Sequence, residues 1–310
     1  MDDVLGRAEA ILRPAMGPRV HTSFAMAPLT TFRIGGPAAI FVEPESEDDL
    51  SAVSAAVRET AVPLVVIGKG SNVLVSDRGF PGIVLRLGRA YRWAARDGDA
   101  LSAGGAMPLP ALAGVALRHG LSGMEFGVAI PATLGGAVKM NAGAHTRSMS
   151  EVLTGVDVFL LGEGATRTIA ATDAGFAYRR SALPSGGIVI GASVELTPGG
   201  DQEIRERMDQ AREWRRRTQP LAEPNCGSVF KNPPDGYAAR LIEEAGLKGL
   251  RVGGVQVSTK HANFIVADPG ADADDVRTLI ARIQAEVQDR YGVELEPEVQ
   301  MIGGFADVAR

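Results

Sequence analysis

Met124-Glu-Phe-Gly-Val-Ala-Ile-Pro-Ala-Thr-Leu-Gly-Gly-Ala-Val-Lys-Met-Asn-Ala-Gly-Ala144 carries only two charges in twenty-one residues, with glycines set where bare backbone can meet a bulky ligand. Glycine lets the main chain come close and take positive φ, and small neighbours leave little side chain in the way. The stretch reads as one wall of a cofactor site. Its candidate contacts are Pro131, Ala132, Thr133, Gly135, Gly136, Asn141, Ala142 and Gly143. Backbone amides and Asn141 would bond a planar polar ring, with Ile130, Leu134 and Val138 packed against it. A buried glycine turn between core strands is the other reading.

Upstream, Gly68-Lys69-Gly70-Ser71-Asn72 separates two short apolar runs, Leu64–Ile67 and Val73–Val75. It lacks the third glycine of G-x-G-x-x-G and the spacing of G-x-x-x-x-G-K-[ST], and a strand pattern follows where those motifs need a helix. Such a loop would hold a phosphate in a nest of backbone N–H groups, with Ser71 and Asn72 as extra donors. A hairpin turn fits the same five residues. Taken together, the two glycine segments suggest a dinucleotide, its diphosphate at one and its ring system at the other.

The wider composition sets limits. At 310 residues, 45% hydrophobic and 22% charged, the chain is long enough for more than one core. A net charge of -5 argues against a nucleic-acid partner, and the single cysteine, Cys226, excludes an internal disulfide. The acidic start lacks the apolar core of a secretory signal and no apolar run is long enough for a membrane span, so the expected location is the cytoplasm. No metal-ligand cluster and no protein partner are implied.

Short strands punctuated by glycine and proline dominate the first two hundred residues. Strands are predicted at Ala39–Val42, Gly82–Leu87, Val152–Leu161, Thr166–Ile169 and Ile188–Leu196, and helices after Ser46 and over Pro110–His119. Ser46 is a cap with acids in the first turn behind it. A composition shift at Pro198-Gly-Gly-Asp201 suggests a domain boundary near residue 200. Helices are expected at Gln202–Arg217, Tyr237–Ala245 and Asp272–Tyr291, the last with Val276, Leu279, Ile280, Ile283 and Val287 as its buried stripe. Strands are expected at Gly254–Val257, Asn263–Ala267 and Val293–Ile302.

The ordered set Thr31-Phe-Arg-Ile-Gly-Gly36, Gly68-Lys-Gly-Ser-Asn-Val-Leu-Val75, Gly123-Met-Glu125, Asn141-Ala-Gly143, Tyr178-Arg-Arg-Ser181, Gly227-Ser-Val-Phe-Lys-Asn-Pro233, Lys260-His-Ala-Asn-Phe264 and Pro297-Glu-Val299 resembles the UDP-N-acetylenolpyruvoylglucosamine reductase (MurB) family over nearly its full length. The resemblance implies an α+β chain. Residues 1–200 would form an FAD-binding fold of the vanillyl-alcohol-oxidase (PCMH) type in two subdomains parting near 80–86, and 201–310 an α+β substrate-binding domain. It also implies an NADPH-dependent flavoenzyme of peptidoglycan precursor synthesis, with FAD as cofactor and a UDP-sugar and NADPH as its partners. Hydride passes from NADPH through the flavin to C3 of UDP-N-acetylglucosamine enolpyruvate, giving UDP-N-acetylmuramate.

Carried over residue by residue, Ser228 matches the proton donor to C2, while Arg179 and Glu298 match the pair that stabilises the enolate. Serine is a weak acid, but a carboxylate-stabilised carbanion is basic enough to take its proton. Arginine offers a planar fork suited to a carboxylate gaining charge. Glu298 fits only if it is protonated or shares a proton, because a second bare anion would oppose that charge. Lys231, Asn232, Lys260, His261 and Asn263 lie in matching motifs and are candidate contacts for the UDP group, with a structural histidine the alternative for His261.

Three features depart from the family pattern. Ala132 stands where glycine commonly follows Ile-Pro, Gln300 where many relatives have arginine, and the short stretch 181–188 resembles the subgroup lacking the tyrosine-bearing loop. Another FAD oxidoreductase or oxidase of the same fold, and a non-catalytic flavin or nucleotide-sugar binder, are the competing readings.

Overall fold

The computed structural model describes residues 2–305, and their contacts divide into two units. Unit 1 takes the residues up to Thr22, Ile40–Lys69 and Gly82–Arg215; unit 2 takes Ser23–Ala39, Gly70–Pro81 and the chain from Arg216. This division differs from the composition shift at residue 200. The helix after that shift buries Ile204, Met208 and Ala211 in the core of unit 1. Phe32, Ile34 and Leu74 are buried with the C-terminal residues instead. Composition registers a change of local sequence style, whereas packing follows whichever core takes the apolar face.

In unit 1, α1 (Asp2–Met16) packs on α2 (Glu47–Thr60). The α2 start is a capping box: Asp49 N–H donates to Ser46 Oγ at 3.2 Å and Ser46 N–H to Asp49 Oδ2 at 3.2 Å, an arrangement worth about 1 kcal/mol. Arg19 closes a fork on the same carboxylate. Leu50, Val53 and Ala56 then meet Leu12 and Met16 in one core. The strand Leu64–Val66 runs parallel to Phe80–Leu85, in a four-stranded sheet completed by Pro37–Val42 and Val20–Ala25.

The larger sheet of unit 1 is antiparallel throughout, in the order Ala165–Ala170, Leu153–Leu160, Gly187–Glu195, Ala100–Gly104, Ala94–Asp97. Three helices share its core: α3 (Leu109–Arg118), the short α4 (Leu134–Lys139) and α5 (Asp201–Thr218). The sequence did not signal α1, where Gly6 and Pro14 blur the helical pattern, or α4, which lies inside the glycine-rich wall.

Unit 2 holds α6 (Ala238–Glu244), α7 (Ala273–Tyr291) and a three-stranded antiparallel sheet of Arg251–Val252, Val255–Val257 and Ile265–Ala267. The α7 stripe Val276, Leu279, Ile280, Ile283 and Val287 is buried as its spacing predicts. The expected strand over 293–302 shrinks to Gln300–Ile302, which pairs in parallel with Val73–Val75. Pro297 explains the shortening, since it has no N–H for a ladder, and it keeps only an isolated bridge to Phe230. Among the described residues no helix is long and apolar enough to cross a membrane.

Candidate active site

Within unit 1, Gly68 meets the second glycine segment. A Cβ on Gly68 would collide with the Thr133 hydroxyl and stand 3.5 Å from Thr133 Cβ and Cγ2. Thr133 is the cap of α4, its Oγ1 accepting from Gly136 N–H at 3.4 Å. The α4 start is pinned to the turn after the strand Ala100–Gly104 by Leu134 N–H donating to Met107 O at 2.8 Å and Gly135 N–H to Gly105 O at 2.9 Å. Ala132 takes no positive φ, so alanine is accommodated at this position. One expectation is corrected here: Leu134 and Val138 are wholly buried in the unit 1 core and cannot line a ring. The segment is a helical turn with its apolar face inward, leaving Pro131, Ala132, Thr133, Gly135 and Gly136 on its accessible side.

The phosphate loop fits an anion. Among the described residues no protein acceptor takes the backbone N–H groups of Gly68, Lys69, Gly70, Ser71 and Asn72, and a run of free donors is what a bound phosphate satisfies. Gly70, at φ +61, has no room for a Cβ because Leu29 O and Thr30 Cα press on it. Thr31 braces the loop, its N–H donating to Gly70 O at 3.0 Å. The sequence reading gave Thr31 no role, although the adjacent Gly35-Gly36 marked its loop as a close approach. The Asn72 side chain is already used, donating Nδ2–H to Glu298 O at 3.1 Å. It anchors the loop rather than extending a donor.

Arg179 sits at the tip of a tight turn closed by Ala177 N–H to Arg180 O at 2.9 Å and Arg180 N–H to Ala177 O at 3.1 Å. Its φ is +53, a region that costs a non-glycine residue about 1 kcal/mol. The guanidinium reaches the wall, Nη2 donating to Gly143 O at 3.1 Å, and lies over the Tyr178 ring. Asn141, expected to meet the ring of a cofactor, is instead buried at 6% exposure with its side chain bonded to Ala177 O and Ser150 N–H.

Burial lowers the Lys139 ammonium pKa, and its Nζ donates to Leu183 O at 3.4 Å. At Glu125 burial pushes the carboxyl up, but hydrogen bonds from Ser122 and Gly123, with Arg207 nearby, leave its pKa lowered overall. His145 packs edge-on against Trp214 at 5.0 Å.

In unit 2, the segments carrying Ser228 and Glu298 run side by side. Glu298 N–H donates to Val229 O at 2.7 Å and Lys231 N–H to Glu296 O at 2.9 Å. The phosphate loop joins them: Gln300 N–H donates to Asn72 O at 3.0 Å, and Ser71 O lies 3.9 Å from where a Gly227 Cβ would be. Gly227, at φ +80, makes the bend that presents half-exposed Ser228. Cys226 is buried, and burial, with Glu298 nearby, pushes its thiol far above the ordinary range.

The five proposed UDP contacts are placed unevenly. Asn263 is buried, giving Nδ2–H to Phe230 O at 2.8 Å and accepting Phe230 N–H at 2.9 Å; it is a clamp on the Ser228 segment. His261 accepts Asn263 N–H on Nδ1 at 3.3 Å and stacks edge-on to Phe264, while burial lowers its pKa and favours the neutral ring. Lys231 pairs with Glu296 at 2.5 Å, Asn232 Oδ1 accepts Ala238 N–H at 3.1 Å, and Lys260 caps Arg216 O at 2.7 Å. Lys231, Asn232 and Lys260 keep exposed surface; Asn263 does not.

Two family profiles match the chain: an FAD binding domain over residues 38–170, and the C-terminal domain of UDP-N-acetylenolpyruvoylglucosamine reductase over 219–302. The fold is the FAD-binding fold of the vanillyl-alcohol-oxidase type; a glucose oxidase variant of Phl p 4 shares it at TM-score 0.50 and 16% identity, over 64% of this chain and 44% of its own. The UDP-N-acetylenolpyruvoylglucosamine reductase of Heliobacterium modesticaldum is 48% identical, covering 88% of both proteins. That of Symbiobacterium thermophilum, designated reductase 2, is 43% identical over 98% of both. The crystal structure of the Thermus caldophilus enzyme superposes at TM-score 0.80 and 39% identity, over 92% of this chain and 99% of that one. The chain belongs to the UDP-N-acetylenolpyruvoylglucosamine reductase family.

Proposed function

We propose that the chain reduces UDP-N-acetylglucosamine enolpyruvate to UDP-N-acetylmuramate with NADPH, using FAD held by Gly68–Asn72 and by the wall at 131–136. Bound FAD would supply the hydride-transfer chemistry that links NADPH to C3 of the enolpyruvyl group. The protein's part is to hold the substrate carboxylate and to move a proton. Arg179 offers its fork to the carboxylate as negative charge spreads onto it. Glu298 in its protonated form donates a hydrogen bond to the same group, and Ser228 Oγ–H delivers the proton to C2. The observation that carries this reading is the register that sets the Ser228 and Glu298 segments side by side, with the phosphate-loop residue Asn72 bonded to Glu298 O.

Lys231, Asn232 and Lys260 are the contacts we assign to the UDP group, because they retain exposed polar atoms. Asn263 instead holds the Phe230 backbone, and His261 accepts Asn263 N–H. With Gln300 in place of arginine and no tyrosine-bearing loop, those two substrate contacts of the wider family are not invoked. Substrates of this kind, a nucleotide sugar and NADPH, support a reaction in the cytoplasm.

Ser228→Ala tests the assignment. It should bleach with NADPH at nearly the rate of the unaltered enzyme and reoxidise with substrate far more slowly, since the serine acts only in the second half-reaction. Equal slowing of both halves would remove Ser228 from the proton-donor role.

A further inference from the structure

Asn141 stands inside the cofactor wall, yet its polar atoms face inward. Its Nδ2 donates to Ala177 O at 3.0 Å and its Oδ1 accepts Ser150 N–H at 2.9 Å, with the residue 6% exposed. Its φ of +42 lies in the left-handed region, which asparagine tolerates better than most side chains. The backbone conformation and both hydrogen bonds therefore call for the same residue.

Ala177 O is one end of the turn that carries Arg179, and it accepts from Arg180 N–H as well as from Asn141. Two further ties fix that turn to the same stretch of wall: Arg179 Nη2 to Gly143 O at 3.1 Å, and Ser181 Oγ to Lys139 O at 2.7 Å. Asn141 thus holds the entry to the turn, Gly143 its tip and Lys139 its exit. Arg179 itself sits at φ +53, so without such ties its backbone would relax toward an ordinary conformation.

We propose that Asn141 is the positioning residue for Arg179, holding the arginine where it meets the substrate carboxylate, and is not a flavin contact. The inference rests on the reductase reading in assigning Arg179 its role. It predicts that Asn141 acts in the half-reaction that consumes substrate and not in the one that consumes NADPH.

Asn141→Asp isolates the bond to Ala177. Aspartate accepts Ser150 N–H as asparagine does and tolerates the left-handed backbone, but as a carboxylate it turns a lone pair toward Ala177 O. Burial raises a carboxyl pKa, and the protonated acid regains an O–H to donate. The variant is expected to bind FAD with unaltered affinity and spectrum and to bleach with NADPH at the unaltered rate. Reoxidation by UDP-N-acetylglucosamine enolpyruvate should be about tenfold slower or more at alkaline pH, roughly 1.4 kcal/mol on the barrier, and should recover as the pH falls. Asn141→Gly, which keeps the backbone conformation and removes both bonds, should be slow at every pH, and it serves if the aspartate variant does not fold. Weakened FAD binding or a shifted flavin spectrum with normal reoxidation overturns the proposal and makes Asn141 a cofactor contact. Arg179→Ala measured alongside separates the two layers: slow reoxidation in Arg179→Ala with normal rates in the Asn141 variants defeats this inference alone, whereas normal reoxidation in Arg179→Ala defeats the role given to the arginine.

Discussion

Replacing Gly68 by alanine places one methyl group against the Thr133 hydroxyl, closer than nonbonded atoms approach, while the rest of Thr133 stays at an ordinary 3.5 Å. Gly68 has no positive φ, so backbone strain is not part of the effect. Holding Thr133 in place against the methyl costs about 2 kcal/mol, within the range for overpacking. Relief comes if Thr133 swings away, but then Gly136 N–H loses its cap acceptor, about 1 kcal/mol, and the wall moves off the loop. Closing the wall again around FAD must return that energy, so the dissociation constant for FAD rises up to about 30-fold at 1.4 kcal/mol per tenfold. The assay is titration of the apoprotein with FAD, followed by quenching of flavin fluorescence, for Gly68→Ala, Thr133→Ala and the double variant. With Oγ1 removed, the alanine at 68 meets only ordinary contacts, so its penalty should largely vanish in the Thr133→Ala background, a coupling of about 2 kcal/mol. An unchanged affinity in Gly68→Ala, or an equal penalty in both backgrounds, would refute the contact between Gly68 and Thr133.

Other expectations concern stability and reactivity. Burial pushes the Asp49 carboxyl up, but the Arg19 fork and the Glu45 and Ser46 amides outweigh it and leave the pKa lowered. A lowered folded pKa stabilises above the unfolded value of about 3.9, and that stabilisation is lost as the pH falls through the folded value. Asp49→Asn should therefore lose about 2 kcal/mol by denaturant titration at neutral pH, a difference that shrinks in acid; a pH-independent difference contradicts the ion pair. The Cys226 thiol, buried with its pKa raised, should react with an aromatic disulfide reagent about a hundredfold more slowly in the native protein than after unfolding. Rapid native labelling would place Cys226 at the surface.

The long helices were legible because their signals are local. In α7 the apolar residues recur at helical spacing, and at α2 the Ser46 cap and its acids lie within one turn. The ordered glycine motifs likewise pointed to the FAD-binding fold and the family. What the sequence hid depends on distant partners. Leu134 and Val138 read as ring contacts, yet α4 turns them into a core formed by strands far along the chain. Asn141, Asn72 and Asn263 read as ligand donors, yet each spends its amide on a backbone group at least 33 residues away. The unit division was hidden for the same reason, since nothing local in Phe32 or Leu74 says that their apolar side chains belong with the C-terminal core.

Stopped-flow absorbance of the purified, FAD-loaded protein tests the central claim most directly. The yellow flavin absorbance should bleach on mixing with NADPH and, without oxygen, return on mixing with UDP-N-acetylglucosamine enolpyruvate as UDP-N-acetylmuramate is formed. Protein that takes up no FAD, or a bleached flavin that this substrate leaves unchanged while oxygen restores it, would contradict the account.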